Sequence, residues 1–373
     1  MTINESLAQW SELSMLLAAV TYLVAFIAFT WDIASHSKAA RRADAAGRRA
    51  ESAKRPAMAG AGPAAERGSA AGFDDAGSGT LSGTEDDAAQ DSWPVDSSMP
   101  GDLDRVSGRR TADDSMVYSG ARRPAANVAV AVMVIGVLIH LAGVLTRGLA
   151  ASRVPWGNMY EFCTTGALVV SVVFLIALIF RDLRFVGTLV SGLAVVMMVA
   201  ATIGFPTPVG HLQPALQSYW LVIHVSVAVM ASGVFTITFA LAVLQLMQTR
   251  RERRLAEGGA DRMPFMRLVP SARALENFAF RLNTVGFVMW TFTLAMGAIW
   301  AEQAWGRYWG WDTKEVWTFV IWVVYAAYLH ARATRGWTGP RSAWLSIIGY
   351  LCIIFNFTVV NVFFSGLHSY SGL

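Results

Sequence analysis

Cysteine is nearly absent: Cys163 and Cys352 are the only two in 373 residues. Both lie in or beside apolar runs, and neither belongs to a Cys-x-x-Cys pair. Thiol–disulfide exchange is therefore excluded as the chain's own chemistry, and both read as small buried hydrophobes. Charge is sparse as well, 15% of residues with a formal net charge of +4. The Lys and Arg residues sit at loop positions suited to anionic lipid. No basic surface with interleaved aromatics points to nucleic acid. Histidine is down to six, so each one in an apolar setting needs a physical reason. The flank Met1–Leu13 has no basic residue and carries Glu5 and Glu12. That is the wrong charge for a cleaved signal, and the first apolar run reads as a retained helix with its N-terminus outside.

Long apolar runs are plentiful. The hydrophobic fraction is 54% and the mean hydropathy +0.43, which describes an all-α polytopic membrane protein. Spans are expected near Ser14–Trp31, Ala125–Thr146, Glu161–Phe180, Phe185–Ile203, Tyr219–Met247, Thr284–Trp300, Val316–His330 and Ala343–Phe364. That makes eight. The resulting division is an N-terminal transmembrane helix (1–33), a linker (34–124) and a membrane core (125–373). The linker is rich in Ala, Gly, Ser and Asp, starts basic and turns acidic, and has almost no periodic apolar pattern. Such a composition buries too little apolar area to offset ordering, so it is expected to be a disordered cytoplasmic insert. Basic clusters at 38–55, 181–184, 250–254 and 332–341 fall on one side of eight spans. The positive-inside rule makes that side cytoplasmic and puts both termini outside. Arg147 and Arg153 are exceptions to it.

Four of the 14 tryptophans fall within Trp305–Trp317, in the order Trp-Gly-Arg-Tyr-Trp-Gly-Trp-Asp-Thr-Lys-Glu-Val-Trp. This segment joins two spans on the expected outer face, and an ordinary loop does not need so much indole. Trp305, Trp309, Trp311 and Trp317 offer a surface for a flat apolar ligand, with Arg307, Asp312, Lys314 and Glu315 as its polar elements. His224, near the outer end of the fifth span, and His368, directly after the eighth, share its depth. Two neutral imidazoles there can supply both axial ligands of a haem iron. For either one alone, an ordinary structural histidine remains the plainer reading.

His330 lies at the opposite, cytoplasmic end of the seventh span, either as a functional intramembrane group or as a residue snorkelling beside Arg332 and Arg335. His140 does not match it in depth and reads as a helix–helix hydrogen bonder or an additional ligand. His211 and His36 read as solvated. Glu161 either opens the third span, where the helix dipole favours a carboxylate, or binds a basic partner. Asn356 and Asn361 read as helix–helix contacts.

The Trp305–Trp317 segment closely resembles the tryptophan-rich WWD motif of haem-handling proteins, and the resemblance is to the CcsA/ResC type of system II cytochrome c biogenesis. It covers about residues 125–373, with the WWD loop at 301–317. Asn158-Met-Tyr-Glu161 is similar to the family's Asn-Leu-Tyr-Glu element. His224 and His368 match its two external histidines, and His330 its transmembrane histidine. Thr313 stands where proline is usual, which alters a turn and no ligand. The resemblance implies a haem-handling subunit of a cytochrome c synthase, with haem b as cargo and the histidines and tryptophans above, together with Asp312, as its binding residues. It implies a separate ResB-like membrane subunit, able to supply a partner for His330. It further implies an apocytochrome c with a Cys-x-x-Cys-His segment as the acceptor, and thiol-reducing proteins acting indirectly. A haem exporter or chaperone without synthase role, or a membrane electron-transfer cytochrome, are the competing functions.

Overall fold

The computed structural model describes residues 3–54, 112–118, 123–334 and 337–368. It is all-helical there: α1 (Glu5–Lys54), α2 (Pro124–Ala151), α3 (Met159–Phe180), α4 (Gly187–Val199), α5 (Tyr219–Ala256), α6 (Ala272–Trp305), α7 (Thr313–Ala333), α8 (Pro340–Phe357) and the short α9 (Val359–Phe363). A 3-10 turn (Arg184–Val186) leads into α4, and a π turn (Ala200–Gly204) extends it. Among the described residues, eight segments are long and apolar enough to cross a membrane. This is a multi-pass membrane architecture, and many of its apolar side chains, such as Ile179, Ile203 and Leu149, point outward.

The first helix runs past the expected boundary at residue 33 to Lys54. The reason is local. Residues 35–54 hold Gly47 as their only glycine and no proline, and alternate Ala with Arg, Lys and Glu, all good helix formers. The chain divides into two compact units, residues 41–110 and the remainder, and the last part of this helix belongs to the first of these. The far end of the expected linker is also ordered. Over 112–118, Met116 is buried and its carbonyl accepts from Asp182 N–H at 2.8 Å. Asp114 accepts from Ser271 N–H at 2.9 Å and Ser271 Oγ at 2.8 Å, and Tyr118 Oη donates to Leu178 O at 2.6 Å. This segment ties the α3–α4 turn to the start of α6. Residues 55–111 of the expected insert lie outside the described residues.

A deletion of residues 60–108 leaves that docked segment intact and removes a composition without core-forming pattern. It is expected to accumulate and melt like the wild type, as judged by fluorescence-detected size exclusion. Extending the deletion through residue 118 should lower the melting temperature. Loss of the protein on the shorter deletion would mean that the insert carries structural contacts of its own.

The widest packing in the core is between α5 and α6, flanked by α7 and α8. Phe235 of α5 stacks on Tyr325 of α7 at 3.8 Å between centroids and meets Trp290 of α6 edge-on at 6.3 Å. Thr236 Oγ1 and Tyr350 Oη of α8 lie 2.9 Å apart. Four helices thus close on one another through an aromatic layer midway along α5, and above it they separate into a cavity.

The N-terminal helix is attached by polar contacts. Ser11 Oγ donates to Gly143 O at 2.8 Å, Tyr22 Oη and His140 Nδ1 lie 3.0 Å apart, and buried Asp32 pairs with Arg123. His140 is therefore a helix–helix bonder between α1 and α2.

Candidate functional site

The cavity lies between α5, α6, α7 and α8 and is capped by the Trp-rich loop. It encloses about 1210 Å3 of space, its open mouth included. Its wall is apolar and aromatic: Trp156, Phe162, Leu221, Trp290, Trp300, Tyr308, Trp309 and Phe357 line it. His224 and His368 line the same cavity, as do Lys314, Glu315, Asn356 and Asn361.

Each histidine is held by the same ring nitrogen. His224 Nδ1 donates to the Thr293 carbonyl of α6 at 2.9 Å. Because a carbonyl can only accept, this fixes the proton on Nδ1 and leaves Nε2 with its lone pair. His368 Nδ1 lies 2.7 Å from Asp312 Oδ2, and a carboxylate there likewise calls for a donor on Nδ1. Backbone carbonyls and carboxylates in this position orient metal-binding imidazoles and raise their basicity. Trp300 touches both rings, stacked on His224 at 5.9 Å and edge-on to His368 at 5.5 Å. Its own indole N–H is taken by Ala215 O at 3.2 Å, so the ring is fixed beside both histidines. Gly297 permits the His224 position: a Cβ there would lie 2.7 Å from Cε1 and 2.9 Å from Nδ1 of the imidazole.

The loop itself is built by termination and capping. Gly306 ends α6 in the left-handed region at φ +70°, its N–H returning to Glu302 O at 2.7 Å. Asp312 then caps α7, and Glu315 Oε2 accepts from Asp312 N–H at 3.1 Å and Gly310 N–H at 2.8 Å, which completes a capping box. Trp311, just before the cap, has φ +59°, a costly conformation for a bulky residue that the surrounding contacts must hold. Asp312 serves two functions, capping the helix and orienting His368. The His368 imidazole beside it holds the Asp312 carboxyl below the usual range, against the opposing effect of partial burial. Asp312 Oδ1 also takes Leu367 N–H at 3.2 Å, fastening the C-terminal turn over the cavity.

The structure brings together only part of the expected tryptophan surface. Trp309 lines the cavity, and Trp305 packs edge-on against His368 at 4.8 Å and Trp300 at 4.7 Å. Trp311 is 74% exposed and touches Trp309 from outside. Trp317 has entered α7 and packs on Phe355 at 4.3 Å. His330 is exposed in the last turn of α7, twelve residues after Thr318, the last residue of α7 that lines the cavity, hence about 18 Å along the helix from it. His211 is exposed in the α4–α5 loop.

Sequence reasoning missed Trp156, Trp290 and Trp300 as cavity walls. Nothing in their local pattern separates them from ordinary core tryptophans. The capping box was readable, as Asp-x-x-Glu directly before an apolar run.

Beside the cavity, Glu161 is clamped from two directions. Arg147 Nε donates to its Oε1 at 3.0 Å, Arg153 Nη2 to the same oxygen at 2.9 Å, and Arg153 Nη1 to Oε2 at 2.8 Å. Gly157 N–H adds a fourth bond at 2.6 Å, and Asn158 caps the helix onto Glu161 N–H at 3.0 Å. Arg147 and Arg153, the two exceptions to the charge rule, are thus partners of a buried carboxylate. Glu161 both opens α3 and binds basic groups, and the basic groups are the chain's own.

The fold and site define a polytopic helical membrane protein with a paired-imidazole aromatic cavity at one end of its bundle. Residues 156–368, more than half of the chain, match the family Cytochrome C assembly protein, and the chain belongs to that family. It is 33% identical over 246 residues to cytochrome c biogenesis protein CcsA of Guillardia theta, covering 61% of this chain and 80% of the relative. Against the protein of that name from Synechococcus elongatus (strain ATCC 33912 / PCC 7942 / FACHB-805) the identity is 34% over 263 residues, covering 60% and 81%. With that of Gloeobacter violaceus it is 29% over 284 residues, covering 63% and 84%.

Proposed function

We propose that this chain is the haem-handling subunit of a cytochrome c synthase, holding haem b at its outer face for thioether attachment to apocytochrome c. The observation that carries this reading is the pair His224 and His368, each fixed through Nδ1, in one aromatic cavity. No cluster of three or more His, Cys, Asp or Glu suited to a bare metal ion occurs among the described residues. A porphyrin fills four positions of its own iron, so two imidazole Nε2 atoms and flat apolar walls are the donor set it still needs. The family's part in cytochrome c biogenesis agrees with this.

In this reading His224 and His368 supply the axial ligands, and Asp312 orients His368. Trp309 lines the site and Trp305 braces His368, while the exposed Trp311 faces the incoming apocytochrome. The thiols come from the Cys-x-x-Cys-His segment and add across the haem vinyl groups. The protein contributes orientation and exclusion of water. Reduction of those thiols falls to thiol-reducing proteins acting on the apocytochrome. Haem enters near His330, on the cytoplasmic side, where a ResB-like subunit supplies the second ligand. Anionic lipid contacts the basic cytoplasmic edges, and both termini lie outside.

The test is to purify the chain in detergent, with and without a ResB-like subunit, and record its haem spectrum. A low-spin, six-coordinate spectrum that is lost in His224→Ala is expected. A chain that binds no haem in either preparation would overturn the proposal. A sharper variant is Gly297→Ala. Alanine favours the helix by about 1 kcal/mol, so accumulation should equal or exceed the wild type. Its Cβ nevertheless displaces the His224 ring from Thr293 O. The spectrum should shift toward five-coordinate haem and mature cytochrome c should fall several-fold. Normal maturation in this variant would mean that His224 needs no fixed position.

A further inference from the structure

The sequence Asp312-Thr-Lys-Glu315 places three charges at one helix start, and the structure gives each a different task. Asp312 is occupied by His368 Nδ1, Leu367 N–H and Lys314 N–H. Glu315 Oε2 takes two backbone N–H groups of the loop; its other oxygen, Oε1, is buried without a partner, and the residue lines the cavity. Its charge is balanced by those amides and by the positive end of α7. Lys314 differs. Its Nζ donates to Asn356 O at 2.8 Å and Asn361 Oδ1 at 2.7 Å, both neutral oxygens from the last span. Among the described residues it forms no ion pair. An ammonium has three donors, so one remains. Lys314 lines the same cavity as His224 and His368.

An ammonium whose direct hydrogen bonds go only to neutral oxygens, with the Asp312 carboxylate acting on it from beyond bonding distance, gains from an anion that joins it at this apolar wall. The two asparagines fix the ammonium in place without cancelling its charge. Resting on the haem reading above, we infer that Lys314 Nζ receives a propionate carboxylate of the porphyrin. The cavity thereby selects tetrapyrroles with free carboxylates over neutral esters of the same shape. The propionate edge is then anchored at the start of α7, and the vinyl edge is left for the thiols. Asn356 and Asn361 act through Lys314 and are positioning residues.

The test uses the full chain in nanodiscs, titrated with ferric haem and with its dimethyl ester, affinity being read from the Soret band. Wild type is expected to bind haem roughly tenfold to hundredfold more tightly than the ester, the range of one charge-assisted hydrogen bond. Lys314→Met keeps the apolar stem and should bind both forms alike, at the wild-type affinity for the ester. Its low-spin spectrum at saturation should be unchanged, because the two histidines remain. Lys314→Arg should recover a preference for haem. A wild type that binds both forms equally, a comparison that needs no variant, would overturn the inference while leaving the haem reading intact. So would a Lys314→Met protein that keeps the full preference. Failure of the wild type to bind either tetrapyrrole would overturn both.

Discussion

Replacing His224 or His368 with alanine should remove most mature cytochrome c, at least tenfold by the scale on which losing even a supporting contact to a metal ligand costs roughly 10- to 100-fold. Each variant leaves one imidazole and a space of imidazole size, so imidazole added to the medium should restore part of the maturation. Asp312→Asn should fall between these variants and the wild type. The amide still accepts from His368 Nδ1 through its oxygen, but no longer supplies the charge that makes that nitrogen a strong donor. Rescue by imidazole should fail for Asp312→Asn, whose ligands are both present. His330→Ala tests a different step: haem should decline throughout the complex, because the proposed entry precedes the outer site. Replacing Trp309 should weaken retention at the outer site alone. The assignment collapses if both single histidine variants keep the normal spectrum and yield normal cytochrome c.

The spans were legible because apolar runs of that length have few other uses. Their ends were harder to read. The first twelve residues of α6, Ala272–Asn283, carry Arg273, Glu276 and Arg281, and by hydropathy they resemble a loop. Tertiary contacts make them helical: Glu276 is buried, pairing with Arg332 at 2.9 Å and accepting from Gly339 N–H at 3.0 Å. The two cavity histidines were legible through shared depth and a family motif. The individual tryptophans were not, because a run of indoles does not say which ring turns inward. Trp317 lies one turn into a helix and follows its face, whereas Trp309 lies on the loop and meets the cavity. Likewise, the charges of Asp312, Lys314 and Glu315 were visible as a group. Glu315 serves its own loop, but the tasks of Lys314 and of Asp312 on His368 depend on contacts with residues about 40 to 55 positions away, which no local pattern encodes.

The second large effect is expected at Glu161, in stability rather than in haem ligation. The carboxylate is fully buried and takes two arginines, Arg147 at 1% and Arg153 at 11% side-chain exposure. Glu161→Ala strands both guanidinium groups. Arg147 keeps the carbonyls of Thr207 and Pro208 and its place over the Tyr160 ring, but these are neutral partners. Breaking a buried ion pair on one side costs about 3–5 kcal/mol, a large share of a typical folding free energy. Little Glu161→Ala protein should therefore accumulate, whereas His224→Ala should accumulate normally, and Western blotting of membranes separates the two. The damage should centre on the cavity's outer wall, because the clamp fixes Trp156 and the 207–210 loop. Glu161→Gln keeps the shape and should be intermediate. Adding Arg147→Met to it removes one stranded charge and should restore part of the accumulation, since a hydrophobic replacement for a buried pair is often tolerated. The opposite pattern would be instructive. If Glu161→Ala protein accumulates and melts like the wild type yet fails in cytochrome maturation, the carboxylate serves a partner. The two arginines would then be holding it for that partner rather than for the fold.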